Sequence, residues 1–456
     1  MKAARRVSRA GEAKDTNVTT PSEDPRRADP PAAVRATGTT RHSAVAGDGG
    51  GASAASAPLK KKGRRRKKRR SVYAPPQEIA AGGQANRAGE RRSPATQAAP
   101  LPPLPRRPVH ASEPSRGEGE VLYAALDLGT NNCRLLIARP RDHGFHVVDA
   151  FSRIVRLGEG VGRSGRLNDK AMERAIEALH VCQAKLYARG VSRHRLIATE
   201  ACRAAENGSA FLDRVRTETG LELEIVSRET EARLAVTGCA SLIDPNASGA
   251  LLFDIGGGSS ELVWIDLTRQ ADGQRRRMSD RIRTWVSLPV GVVTLSERHG
   301  GEHVDRSVFE AMVAEVAAML AAFPQAAALD KAVRNSNLHM LGTSGTVTTL
   351  AGVHLGLPRY DRRRVDGIWL SAVDVDRMMD VIIGMDYEAR VANPCIGRER
   401  ADLVLAGCAI LEAIRRRWPC PRLRVADRGL REGILVEMMS ADGVWRRPLR
   451  QNGQAP

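Results

Sequence analysis

Leu251-Leu252-Phe253-Asp254-Ile255-Gly256-Gly257-Gly258-Ser259-Ser260-Glu261-Leu262-Val263-Trp264-Ile265 reads as an apolar strand, an aspartate, three glycines, two hydroxyls, a glutamate and a second apolar strand. This is the pattern of a tight β-turn-β unit. Three consecutive glycines open backbone conformations closed to other residues and bring N–H groups close to a ligand with no Cβ in the way. N–H groups that converge in this manner bind anions, usually phosphate. Asp254 and Glu261 would repel a bare phosphate, and they make sense if a hard divalent cation stands between them and the phosphate oxygens. The stretch therefore predicts a metal-assisted phosphate site; the alternative is an ordinary glycine-rich hairpin turn.

The same grammar occurs about 127 residues earlier, where order begins at Val121. There Val121-Leu122-Tyr123-Ala124-Ala125-Leu126 leads into Asp127-Leu128-Gly129-Thr130-Asn131-Asn132, and Cys133-Arg134-Leu135-Leu136-Ile137-Ala138 follows. Two such turns, each between apolar strands, suggest two similar lobes facing one anion. A third strand, Leu338-His339-Met340-Leu341, runs into Gly342-Thr343-Ser344-Gly345-Thr346. A helix over 346–353 would offer its free N–H groups as a further anion or nucleotide site.

Between these motifs the chain alternates. Short strand-like segments are predicted over 146–151, 195–199, 221–226, 282–288 and 422–425, with a polar loop over 269–281. Helical spacing of Ala171, Ala175, Ala178, Leu179, Cys182 and Leu186 predicts a helix over 168–189 capped by Asn168, with His180 on its surface. Further helices are expected over 208–219, from 227 onward, and over 305–322, 403–417 and 429–438. Strands alternating with helices indicate an α/β class.

Residues 1–119 differ from the rest. Rich in Ala, Pro, Arg, Ser and Gly, they cannot bury enough apolar surface to offset their ordering entropy, and a disordered tail is expected. They hold 25 Lys and Arg against 10 Asp and Glu, so most of the net charge of +19 sits there. It concentrates in the run from Lys60 to Arg70, which suits contact with a polyanion through counterion release. The remaining chain is long enough for two domains with real cores. Seven scattered cysteines without a CxxC pair argue for reduced thiols, not for disulfides or zinc. No apolar run reaches the roughly 18 residues of a spanning helix, and the N-terminus lacks the apolar core of a signal peptide. A soluble, cytoplasmic protein is expected.

Taken together, these motifs resemble the exopolyphosphatase / guanosine pentaphosphate phosphohydrolase family of the actin, sugar kinase and heat-shock chaperone superfamily. The residues that carry the resemblance are Asp127-Leu128-Gly129-Thr130-Asn131, Thr199-Glu200-Ala201-Cys202-Arg203, Glu231-Ala232-Arg233, Asp254 to Glu261, and Gly342 to Gly345. The Glu-Ala-Arg step about 23 residues before the Asp-Ile-Gly-Gly-Gly turn sets this family apart from kinases and chaperones. The resemblance implies two ribonuclease-H-like domains, 120–228 and 229–425, around a central cleft, with a final helix near 426–445 returning to the first and a frayed tail over 446–456. It implies Glu231 as catalytic glutamate, Asp127, Asp254 and Glu261 as ligands of Mg²⁺ or Mn²⁺, and Asn131, Arg134, Arg203 and Gly256 to Ser259 as phosphate contacts. Gly129, Thr130 and the Gly342-Thr343-Ser344-Gly345 turn complete the expected phosphate grip. Asn132 stands where a serine is usual, and Thr230 where a second acid is common. Longer members carry an extra C-terminal helical domain, which is not expected here, and a homodimer is expected.

The implied reaction is hydrolysis of a terminal phosphoanhydride. Positioning and charge neutralisation do most of such catalysis, and Glu231 would deprotonate the attacking water. Read alone, Glu231 is a first-turn helix residue favoured by the dipole, and Arg203 a surface arginine. Inorganic polyphosphate, with short chains favoured, is the expected substrate; guanosine pentaphosphate is the alternative. A non-catalytic polyphosphate or alarmone sensor, or an ATP-driven kinase or chaperone, would use the same cleft differently.

Overall fold

A computed structural model describes residues 121–268, 277–334 and 337–445. The expected disordered tail, its Lys60 to Arg70 run, most of the 269–281 loop and the frayed C-terminus lie outside the described residues. In the first lobe β1 (Tyr123–Leu128), β2 (Asn132–Pro140), β3 (Phe145–Ile154), β4 (Arg193–Ala198) and β5 (Glu224–Ile225) form one sheet in the order β3-β2-β1-β4-β5. The first three strands pair antiparallel, and β4 and β5 join them in parallel. In the second lobe β6 (Gly249–Ile255), β7 (Ser260–Asp266), β8 (Ile282–Leu288), β9 (Leu338–Thr343), β10 (Trp369–Ser371) and β11 (Arg422–Val425) are ordered β10-β11-β9-β6-β7-β8. Apart from β10, an antiparallel addition on the β11 edge, this is the first sheet's topology repeated. The fold is therefore α/β, with two ribonuclease-H-like lobes of the actin-like type.

Both central strands are buried on both faces, which is why they read as nearly continuous apolar runs. Side chains alternate along a strand. In β1, Ala124, Leu126 and Leu128 pack in one core with the Asp169–Ala188 helix, while Tyr123 and Ala125 pack with the last helix, Leu430–Ala441. In β6, Leu251, Phe253 and Ile255 enter the large outer core, while Ala250 and Leu252 meet Ala232, Ala235, Val236 and Cys239 of the Arg228–Cys239 helix. Period two then puts Asp127 on the Tyr123 and Ala125 side and Asp254 on the Ala250 and Leu252 side. Both aspartates thus share a face with the Leu430–Ala441 and Arg228–Cys239 helices, which lie between the two sheets.

Those two helices cross at glycines. A Cβ on Gly238 would come 1.9 Å from the Gly429 carbonyl oxygen, and one on Gly433 would come 2.1 Å from that of Leu234. The last helix is tied to the first lobe by polar contacts as well: the Tyr123 hydroxyl donates to Asp442 at 2.8 Å, and Arg193 pairs with the same carboxylate. Leu234 belongs to the first-lobe core while its neighbours Ala235 and Val236 face the second sheet. A boundary at 228/229 therefore simplifies a helix that serves both lobes.

The Asp169–Ala188 helix is capped by Asn168, whose side chain accepts the Ala171 N–H. The strand expected over 221–226 shrinks to the two exposed residues of β5 at the sheet edge, where few neighbours reward extension. All seven cysteines are free thiols. Among the described residues no single helix is long and apolar enough to cross a membrane.

Candidate active site

The two glycine-bearing turns are built alike. The Gly129 N–H donates to the Asn132 carbonyl at 2.8 Å, and the Gly256 N–H donates to the Ser259 carbonyl at 2.9 Å. In register, Asp127 pairs with Arg134 and Asp254 with Glu261. The turns meet across the lobes: a Cβ at Gly257 would lie 2.8 Å from the Thr130 Cβ, so glycine is required there by close approach. The Gly256 and Gly257 carbonyls accept the N–H groups of Val292 and Val293 at 2.9 and 2.8 Å, bracing the second turn on the start of the Val292–His299 helix.

Between the turns lies a cleft of about 370 Å³. Its walls include Asp127, Gly129, Thr130, Asn131, Arg134, Glu231, Asp254, Gly256, Gly257, Gly258, Ser259, Glu261, Thr343, Ser344 and Gly345. The structure thus brings together nearly every residue that the sequence singled out. Gly342 and Arg203 are the exceptions. Gly342 is buried in β9, where a Cβ would strike the Phe253 ring, and its carbonyl accepts the Ala426 N–H at 2.8 Å. It is a packing residue, not a ligand contact.

Arg203 stands behind the site. One guanidinium nitrogen donates to Glu231 Oε1 at 2.6 Å, and its Nε donates to Glu200 Oε2 at 3.0 Å. The expected phosphate contact is therefore replaced by a buttress: Arg203 holds the Glu231 carboxylate in place, and Glu200, which also takes Arg228 at 2.7 Å, holds Arg203. Glu231 occupies the first turn of its helix, whose N-cap Ser227 accepts the Thr230 N–H.

Seven carboxylates line the cleft: Asp127, Glu200, Glu231, Asp254, Glu261, Asp427 and Glu432. Burial, with Asp127 and Asp254 adding repulsion, pushes Glu231 up to about 7 although Arg203 pulls the other way. Asp254 is raised to about 6 by burial and by Asp127. Glu261 is raised to about 8 by burial and by Glu231 and Asp254, despite hydroxyls of Ser259 and Ser287 that each donate to it at 2.8 Å. Burial also raises Asp127. Among the described residues no three His, Cys, Asp or Glu side chains converge closely enough to cage a metal by themselves. A cation here would need oxygens from a ligand and from water, the way Mg²⁺ is usually held.

The cleft also carries basic side chains. Arg134, Arg400 and Arg431 line the cleft, and among the described residues none of these guanidinium groups is in an ion pair with a carboxylate. Buried Asn131 Oδ1 also has no hydrogen-bond partner. These guanidinium groups are donors available to a polyanion, with Arg431 sharing its charge with neighbouring Glu432. Beneath them Arg362 pairs with Glu432 at 2.7 Å and with Asp427 at 3.1 Å. Burial would raise Glu432, but Arg431 and Arg362 hold it down at about 2.

Sequence reasoning missed Arg400, Arg431, Tyr360, Arg362 and Asp427. The last helix did carry a signal, Asp427-Arg428-Gly429-Leu430-Arg431-Glu432-Gly433, with opposite charges packed around two glycines. Arg400 arrives on an irregular segment before the Val404–Arg417 helix and has no local signature.

Ser344 carries the strain of the site. At φ 77° and ψ −168° it occupies a backbone region nearly reserved for glycine, and its hydroxyl serves Asp254. Ser344→Gly and Ser344→Ala both lose that hydroxyl, but only glycine relieves the backbone. The glycine variant is expected to be more stable than the alanine variant by about 1–3 kcal/mol in urea melts; equal stability would show that the conformation costs nothing.

Comparison with known proteins fits this geometry. The sequence profile described as the Ppx/GppA phosphatase family matches residues 136–442. An Aquifex aeolicus Ppx/GppA family member is 28% identical, covering 71% of this chain and 99% of its own, with a TM-score of 0.57. A protein described as exopolyphosphatase-like is also 28% identical over 70% of this chain and 99% of its own, with a TM-score of 0.61. An exopolyphosphatase from Cytophaga hutchinsonii, at 23% identity, shares the fold with a TM-score of 0.62 over 70% of this chain and 98% of its own. Profile, topology and paired turns agree: the chain belongs to the Ppx/GppA phosphatase family.

Proposed function

We propose that the protein is an exopolyphosphatase, hydrolysing the terminal phosphoanhydride of short inorganic polyphosphate in the cytoplasm. The observation that carries this reading is the charge of one cleft: the buried carboxylates of Asp127, Glu231, Asp254 and Glu261 and the guanidinium groups of Arg134, Arg400 and Arg431 line the same space. A chain of phosphates suits such a site: a cation on the carboxylates would take its end, and the arginines would balance the rest of its charge. Asp127, Asp254 and Glu261 would hold Mg²⁺ or Mn²⁺, which supplies charge neutralisation at the phosphoryl oxygens. The glycine-turn N–H groups and Asn131 hold the terminal phosphoryl group. Glu231 orients the attacking water and takes its proton as the new P–O bond forms; the bond to the departing chain breaks, and the arginines carry that chain's charge. A base near 7 suits work at neutral pH.

Guanosine pentaphosphate is the second reading, favoured by the aromatic rings of Phe151 and Tyr360 at the cleft. Phosphate release from tripolyphosphate, long polyphosphate and the pentaphosphate nucleotide, with and without Mg²⁺, decides between them. The fastest kcat/KM is expected on tripolyphosphate; absence of release from all three would overturn the reading.

The raised carboxylates have a thermodynamic signature. Groups whose folded pKa lies above the ordinary carboxylate range bind more protons folded than unfolded. Their contribution to stability is complete at acid pH and is lost as pH rises through about 6 to 8. A cation held by the ionised forms reverses the loss. Mg²⁺ is expected to raise the melting temperature clearly at pH 8 and little at pH 5.5; an equal shift at both, or none, would remove the cation from these carboxylates.

A further inference from the structure

The loop after β3 joins the lobes at one charged point. Its Val155 and Arg156 N–H groups donate to the Asn131 carbonyl at 2.9 and 3.1 Å, so it hangs on the first phosphate turn. From there the Arg156 guanidinium crosses to the second lobe and takes both carboxylate oxygens of Asp402, each at 2.9 Å. The other end is equally fixed. The Asp402 carbonyl accepts the Ser296 hydroxyl at 2.8 Å, and buried Arg390 donates to the carbonyls of Ala401 and Gly301 at 2.8 and 3.0 Å. Two residues before Asp402 on this segment is Arg400, in the cleft wall. Neither Arg156 nor Asp402 lines the cleft. Arg156 itself has φ 48°, a left-handed conformation that a non-glycine residue keeps only when its surroundings hold it there.

We propose that the Arg156–Asp402 ion pair is an inter-lobe latch that positions Asn131 and Arg400 on opposite sides of the bound phosphate chain. The pair touches no substrate; it sets the separation of two groups that do. A bidentate guanidinium–carboxylate pair suits this purpose because it fixes direction as well as distance. The Gly160 N–H, which donates to Glu297 at 2.8 Å, adds a second tie between the same loop and the second lobe.

The inference rests on the phosphoanhydride reading above, and two readouts separate the two. In the full chain with Mg²⁺ and tripolyphosphate, Arg156→Ala and Asp402→Ala are each expected to raise KM about tenfold with kcat within about threefold of wild type, the pattern of lost positioning for binding. Arg400→Ala should raise KM similarly, and adding Arg156→Ala to it should cost clearly less than a further tenfold, since the latch acts in part through Arg400. The exchange Arg156→Asp with Asp402→Arg should restore most of the affinity; aspartate tolerates a left-handed backbone better than most residues. Independently of turnover, pulsed EPR distances between spin labels at exposed Glu173 and Val373 should broaden and lengthen in Arg156→Ala. Additive KM effects, or an unchanged KM with an unchanged distance distribution, would overturn the latch. Lack of turnover by the wild-type chain would overturn the substrate reading while the distance measurement still judged the latch.

Discussion

Glu231→Gln is expected to bind tripolyphosphate with wild-type affinity and to lose turnover by about 10²–10⁴-fold. The carboxamide keeps the volume of the side chain and can still accept the Arg203 hydrogen bond through its oxygen, so the helix start stays in place. What it cannot do is take a proton. In the wild-type chain, turnover should climb with pH through about 7, as Glu231 ionises, and then level off; the glutamine variant should lack that step. Removing one of four mutually repelling buried carboxylates relieves repulsion, so the variant should melt no lower than wild type. Isothermal titration with tripolyphosphate, phosphate-release assays across pH and thermal melts read the three parts separately. Near-native turnover would take Glu231 out of its role, and loss of binding would make it a structural residue.

The second large effect concerns stability. Gly238→Ala and Gly433→Ala each place a Cβ about 2 Å from a backbone carbonyl oxygen of the partner helix. Backbone cannot swing aside as a side chain can, so the helices must separate. Alanine gains up to about 1 kcal/mol over glycine in helix propensity, whereas overpacking a tight contact costs about 1–3 kcal/mol and occasionally more. Neither glycine has room to relax, so the upper end applies. A net loss of at least about 2 kcal/mol in urea unfolding is expected for each variant. These helices carry Glu231 on one side and Arg431 with Glu432 on the other, so cleft geometry should suffer along with stability. Wild-type midpoints for both variants would mean that the crossing is looser than drawn.

The chemistry of the turns was legible because it is local. Asp, glycines and hydroxyls between two apolar strands occupy fifteen consecutive residues, and the repeat 127 residues earlier foretold two lobes. Asp127, Asp254, Glu261 and Glu231 all reach one cleft. Arg203 was misplaced because its residue type allows a phosphate contact or a carboxylate buttress equally well, and only the packing of Glu200 and Glu231 around it decides. Gly342 was misread for a similar reason: beside a hydroxyl turn it looks like a phosphate glycine, yet what demands it is the Phe253 ring. Arg400 could not be read locally at all, since an irregular segment delivers it, and that segment is held through Asp402 by Ser296 and Arg156, more than a hundred positions away.

The path of the last helix has a consequence for how the protein is made. Tyr123, Ala125 and Leu136 of the first lobe are covered by Ile434, Leu435 and Met439, near the end of the described chain. A ribosome therefore releases the whole second sheet before the first can be sealed. Domains usually mature in the order of their synthesis; here the first lobe to begin must be the last to finish, and its apolar flank stays open through some three hundred residues of translation.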